Sequence, residues 1–150
     1  MIVFADSSAL VTRYADEPGR PALGEPGTLV VSQLARVEVP SAIWRKHRLG
    51  ELSAADAALL TAAFEADYAG TTAGLGYAVV LLTQAIVEVA ARYIPVHRLR
   101  AFDALQLASA AAAQTAALDC RTFAAYDRTL RAAAAAEGFL LFPVETAGSG

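Results

Sequence analysis

The sequence predicts an α/β fold, a central parallel sheet of four to five strands flanked by helices, and three observations carry that prediction. Short apolar, partly β-branched runs alternate with longer helix-like segments along the chain, the order that sets parallel strands between covering helices. The chain opens on Ile2-Val-Phe-Ala5, an apolar run delivering Asp6 to its end, as a buried parallel strand would. Alanine fills the intervening segments, in runs such as Ala110 to Ala113 and Ala132 to Ala136, and alanine is the best helix former.

Taken in order, Ile2 to Ala5 is the first strand and Ser8 to Tyr14 a short helix. Asp16 to Gly27 holds three prolines and three glycines, which makes it a loop. Thr28 to Val31 is a second strand. Ser32 is placed to cap a helix from Gln33 to Leu49 that stops at Gly50, with a kink or restart expected at Pro40. Ser53-Ala-Ala-Asp56 approximates a capping box for a helix reaching Ala69. Gly70 to Gly76 is a loop. Its Gly74-Leu-Gly76 precedes an apolar run and lacks a third glycine, so it is no dinucleotide fingerprint. Ala78 to Leu82 is a third strand and Thr83 caps a helix from Gln84 to Tyr93, which Pro95 is expected to end. A longer helix covers Leu99 to Ala117. Thr122 to Ala125 reads as a weak fourth strand, Arg128 to Glu137 as a helix stopped by Gly138, and Phe139 to Val144 as a fifth, edge strand. Residues 1–145 form one domain, and Thr146 to Gly150 a flexible tail.

Composition narrows the function classes. The chain has 150 residues, 56% of them hydrophobic, which is globular and long enough to bury a core. Glu88 and Arg92 interrupt one long apolar stretch, and Gln106 and Gln114 another, so no membrane span is expected. Asp6 interrupts any apolar leader. Cys120 is the single cysteine, excluding an intramolecular disulfide and pointing to a reducing cytoplasm. A net charge of −3 gives no global sign of nucleic-acid binding. The cations, nearly all arginine, cluster at Arg45-Lys46-His47-Arg48, at Arg98 and Arg100, and at Arg121, Arg128 and Arg131. Arginine suits bidentate phosphate contacts, while a solvated helix face is the plainer reading of each cluster alone.

Most acids, among them Asp16, Glu17, Glu25, Glu51, Asp67 and Glu145, fall in or beside loops or at helix ends. Four do not. Asp6 and Asp127 each follow a strand and precede a helix, and in a parallel sheet such junctions share one edge, where ligands bind. Glu38 lies about one and a half turns into its helix, within reach of that edge. Asp103 sits among Phe102, Ala104 and Leu105, where a buried carboxylate needs a partner. Each has a structural alternative: a helix cap for Asp6 and Asp127, a surface position for Glu38, an ion pair with Arg100 for Asp103. If the four converge, repulsion of about 4 kcal/mol per close pair demands protons or cations. Oxygen-only donors suit Mg²⁺ or Mn²⁺, and such an ion activates water and neutralises charge on a phosphate.

Asp6-Ser-Ser-Ala-Leu-Val11, Leu34-Ala-Arg-Val-Glu-Val39, Arg100-Ala-Phe-Asp-Ala-Leu-Gln-Leu-Ala-Ser-Ala110 and Tyr126-Asp-Arg-Thr-Leu130 together resemble the acidic motifs of PIN-domain nucleases. More narrowly, they resemble those of VapC-type toxins of bacterial toxin–antitoxin pairs. The resemblance spans nearly the whole chain, in order. It implies a PIN-like three-layer sandwich and a metal-dependent endoribonuclease. Asp6 and Asp103 would be the principal Mg²⁺ or Mn²⁺ ligands, with Glu38 and Asp127 completing the acidic pocket directly or through water. Ser8, two positions after the first Asp, would orient a ligand or water. A homodimer, an RNA substrate and a VapB-type antitoxin are the implied partners. Many members carry Thr or Ser two residues before the last Asp, where this chain has Ala125. That makes Asp127 the least well matched of the four, though still preferred over Asp119 as the fourth acid.

Two other readings compete. An aspartate-nucleophile phosphatase would use Asp6 but wants a second acid two residues later, where Ser8 stands. A non-catalytic α/β binding module would use its acids as caps and present the segment from Leu59 to Phe64 or the helix around Trp44. Nothing in Arg13, Arg45 or Arg98, the candidate RNA contacts, spells a target.

Overall fold

The computed structural model describes residues 1–24, 27–71 and 76–144. Glu25, Gly74, Glu145 and the expected tail at 146–150 lie outside the described residues.

Among the described residues five strands, β1 (Ile2–Ala5), β2 (Thr28–Ser32), β3 (Ala78–Val80), β4 (Cys120–Ala124) and β5 (Leu140–Phe142), form one sheet in the order β3-β2-β1-β4-β5. Every neighbouring pair is parallel, with Val3 opposite Leu29 and Phe4 opposite Phe123 in the centre. Among the described residues six helices connect them: α1 (Ser7–Val11), α2 (Ala35–Arg48), α3 (Ala54–Ala69), α4 (Gln84–His97), α5 (Ala101–Ala116) and α6 (Arg128–Ala136).

The central strands are mostly apolar because both their faces are covered, the exceptions including exposed Arg121 in β4. Along β1, Phe4 joins a core with Leu107 of α5, Phe123 and Leu130 of α6. Its neighbours Val3 and Ala5 join the opposite core, with Leu10 of α1, Val39 and Ile43 of α2, and Phe64 of α3. Alternate side chains thus feed two cores, which makes three layers. Phe4 and Phe123 stack with ring centroids 5.4 Å apart and tie the two central strands. The observed sandwich is consistent with the PIN-like architecture.

Ends of elements depart from the sequence expectation where tertiary contacts override local signals. Ser32 closes β2, buried, with its hydroxyl accepting from Leu34 N at 3.2 Å, and the regular helix begins only at Ala35. Both prolines lie inside helices, α2 continuing past Pro40 and α4 past Pro95 to His97. Pro95 falls in the last, exposed turn of α4, where the carbonyl it leaves unbonded can reach water. Arg98, in the left-handed region at φ 56°, turns the chain after α4 instead. Gly27 is demanded by close approach as well as by φ +102°: a Cβ there would lie 2.6 Å from the Met1 carbonyl oxygen, which accepts from Thr28 N. No helix among the described residues is long and apolar enough to cross a membrane. Cys120 is buried and unpaired.

Candidate active site

The strand order reverses direction between β1 and β4. Beyond the carboxyl ends of those two strands lies the crevice in which open α/β sheets bind ligands. Asp6 leaves β1 directly into that crevice and is only 4% exposed. Its Oδ1 accepts from Ala9 N at 2.9 Å, so it caps α1, and Ser8 Oγ donates to Oδ1 at 2.8 Å and Oδ2 at 3.0 Å. Burial pushes its pKa up to about 7, opposed by those hydrogen bonds and aided by the charges of Asp103 and Glu38. No salt bridge neutralises Asp6 among the described residues. The cap and the buried acid are therefore one residue, because the strand ends where α1 begins.

Glu38 is not a surface residue. It is half-buried, and its Oε1 accepts from Ser7 Oγ at 2.9 Å and from Gln106 Nε2 at 2.8 Å. Gln106 Nε2 also donates to Ser7 Oγ at 2.9 Å, closing a ring across α1, α2 and α5. Asp103 lies one turn earlier on α5, half-buried, with Arg100 donating to its Oδ2 at 3.3 Å. Burial raises the Asp103 pKa, Arg100 lowers it and Asp127 raises it further. Asp127 follows β4 and caps α6, its Oδ1 accepting from Leu130 N at 2.8 Å.

The structure therefore places all four sequence-predicted acids at one end of the sheet, electrostatically linked as Glu38–Asp6–Asp103–Asp127. They do not form a tight ligand set. Among the described residues no three His, Cys, Asp or Glu side chains are gathered closely enough to hold a metal ion. Ser8 is committed to Asp6, so it orients that carboxylate. Asp119 precedes β4 and lies at the opposite end of that strand from Asp6, which removes it as a substitute for Asp127. Ala125 is buried, its carbonyl accepting from Arg131 Nη1 at 2.8 Å.

An open groove of about 670 Å³ reaches the site at Glu38, the one of the four acids that lines it, together with Ser8, Val37, Phe102, Arg20 and Arg45. Val37 and Phe102 are 64% and 59% exposed, each next in sequence to a site acid. Arg45 is exposed with no ion pair among the described residues. The basic run splits by helix face. Lys46 turns inward, donating to the Asp16 carbonyl at 2.9 Å and pairing with Glu17 at 3.5 Å, and His47 meets the Leu52 carbonyl at 2.9 Å. Arg131, expected on a solvated face, is 7% exposed and donates to the Ala125 and Pro143 carbonyls. Of the other sequence candidates, Arg13 bonds the Gly24 carbonyl at 2.7 Å and Arg98 is the chain reversal after α4.

Sequence reasoning missed Ser7 and Gln106. Gln106 reads as a polar break in an apolar helix, yet its place three residues after Asp103 puts it on the same helical face, which was the available signal. No family model and no curated protein sequence matches this chain.

Proposed function

We propose that this chain is a metal-dependent endoribonuclease of the PIN type, the toxin half of a VapBC-like toxin–antitoxin pair. The observation that supports it most is Asp6: a carboxylate buried at the sheet's switch point, flanked by Asp103 and Glu38 and neutralised by no cationic side chain among the described residues. The donor set fits Mg²⁺ or Mn²⁺ in chemistry, being all oxygen. Beside it lies the buried amide of Gln106, whose Nε2 holds Glu38 and whose Oε1 has no partner among the described residues. The nuclease and toxin assignments rest on the motif resemblance as much as on this geometry.

In this reading Asp6 is the fixed ligand, immobilised by Ser8 and the α1 backbone. Glu38 is offered by Ser7 and Gln106. Asp103 would join it as a ligand in place of its contact with exposed Arg100, which is worth little. Asp127 acts directly or through water. A bound divalent cation supplies an activated water and neutralises charge on the phosphodiester. Arg45 and Arg20 hold flanking phosphates along the groove. An RNA strand, a second copy of the chain and a VapB-type antitoxin are the partners this reading entails, in the cytoplasm.

The test is cleavage of total cellular RNA in Mg²⁺ or Mn²⁺, with and without EDTA, beside Asp6→Asn. Metal-dependent fragments that vanish in the variant support the assignment; fragments made equally by the variant sink it.

One observation favours the binding-module reading: Asp6 and Asp127 both make real cap hydrogen bonds. Calorimetry decides between them, since a module whose acids are only caps takes up no Mn²⁺.

A further inference from the structure

The ring of Ser7, Glu38 and Gln106 is more than packing. Gln106 is 2% exposed, and a buried amide is costly unless its atoms are bonded. Both Nε2 bonds are spent on the ring, one to Glu38 and one to Ser7, while Oε1 is buried with no partner. Which amide atom faces Glu38 follows from chemistry: a carboxylate only accepts, so the donor must point at it. Glu38 Oε1 takes two hydrogen bonds, and Oε2 takes none from the described residues. A carboxylate pinned by one oxygen with the other open is an oriented donor, and an apolar residue of the same shape would fill the core without that orientation.

We infer that Gln106 is a positioning residue that holds Glu38, with Ser7, so that its free oxygen serves the acidic site. This inference rests on the metal-dependent reading above. Ligand-orienting partners of this kind change metal affinity or activity by about 10–100-fold when removed. Gln106 acts through Glu38 alone, so its effect exists only while Glu38 carries a carboxylate.

The experiment measures Mn²⁺ affinity by calorimetry and RNA cleavage for the whole chain, its Gln106→Met variant, Glu38→Gln, and the two combined. Gln106→Met keeps length and removes the donor. The expected result is Mn²⁺ affinity weaker by about 10-fold or more, kcat reduced with KM for RNA little changed, and no further loss on adding Gln106→Met to Glu38→Gln. A purely structural Gln106 gives the same loss in both backgrounds and overturns the inference, as does an unchanged affinity in Gln106→Met or in Glu38→Gln. Should Gln106→Met fail to fold, Ser7→Ala removes the second donor from a partly exposed site. It must then show a smaller affinity loss that disappears in Glu38→Gln. Asp6→Asn separates the two claims. Mn²⁺ binding retained in that variant overturns the metal site and this inference together. Binding lost in Asp6→Asn but intact in Gln106→Met overturns the inference alone.

Discussion

Asp6 and Asp127 occupy equivalent places on adjacent parallel strands. Each is the residue that caps the helix after its strand, Asp6 following β1 at once and Asp127 three residues beyond the end of β4. Each accepts a backbone N–H from three residues on, Ala9 and Leu130 respectively. Burial separates them: Asp6 is 4% exposed and strongly desolvated, while Asp127 is partly exposed. One motif of local structure therefore yields two acids of different character at one sheet edge.

That difference sets a pH dependence. Asp6 releases its proton near 3.8 when unfolded and near 7 when folded, so the folded chain holds the extra proton between those values. Stability from this group is full below pH 4 and falls as pH rises to 7, by up to about 4 kcal/mol. Asn is also a good helix cap. Asp6→Asn should accordingly melt higher than the parent at pH 8 and about equally at pH 4, as thermal unfolding at the two pH values would read out.

Cap and charge can be parted at Asp127. Asp127→Asn should leave stability within about 0.5 kcal/mol, whereas Asp127→Ala should cost about 1 kcal/mol through the lost bond to Leu130 N. Both variants should cleave RNA more slowly than the parent if the carboxylate belongs to the site. Denaturant unfolding alongside cleavage assays checks this, and full activity in Asp127→Asn would assign the residue to capping only.

At the site itself, Asp103→Asn should abolish metal-dependent cleavage with little change in unfolding, because its ion pair among the described residues is the one with exposed Arg100. Single-turnover cleavage in Mn²⁺ measures it.

Arg45 faces the groove without an ion pair among the described residues. Arg45→Ala should raise KM for RNA several-fold, leave kcat nearly unchanged and reduce the salt slope of binding by about one. Titration of RNA affinity against salt tests this.

Arg131 offers a purely structural contrast. Removing it strands the Ala125 and Pro143 carbonyls beside the ends of β4 and β5. Arg131→Ala should cost about 2–4 kcal/mol, read by urea unfolding, while a phosphate-binding arginine on a solvated face would cost almost nothing.

The alternation of strands and helices was legible because run length and composition report burial directly. Ile2 to Ala5 must be covered on both faces, and Ala54 to Ala69 is bounded by Ser53, which caps it, and Gly70, which ends it. Pro95 misled because a local rule assumes a buried helix interior, and this proline sits in an exposed last turn. Lys46 and Arg131 misled because composition counts charges without saying which helix face carries them.

By itself the sequence determined the sandwich and nominated Asp6, Glu38, Asp103 and Asp127, since strand-end acids without a local purpose stand out in a linear pattern. Only the tertiary structure decided how those acids meet. Glu38 and Gln106 are 68 positions apart, and the bond between them exists only because α2 and α5 converge at the end of the sheet. Hydrogen bonds and desolvation depend on distance and burial in space, and neither is written in the spacing of a single chain.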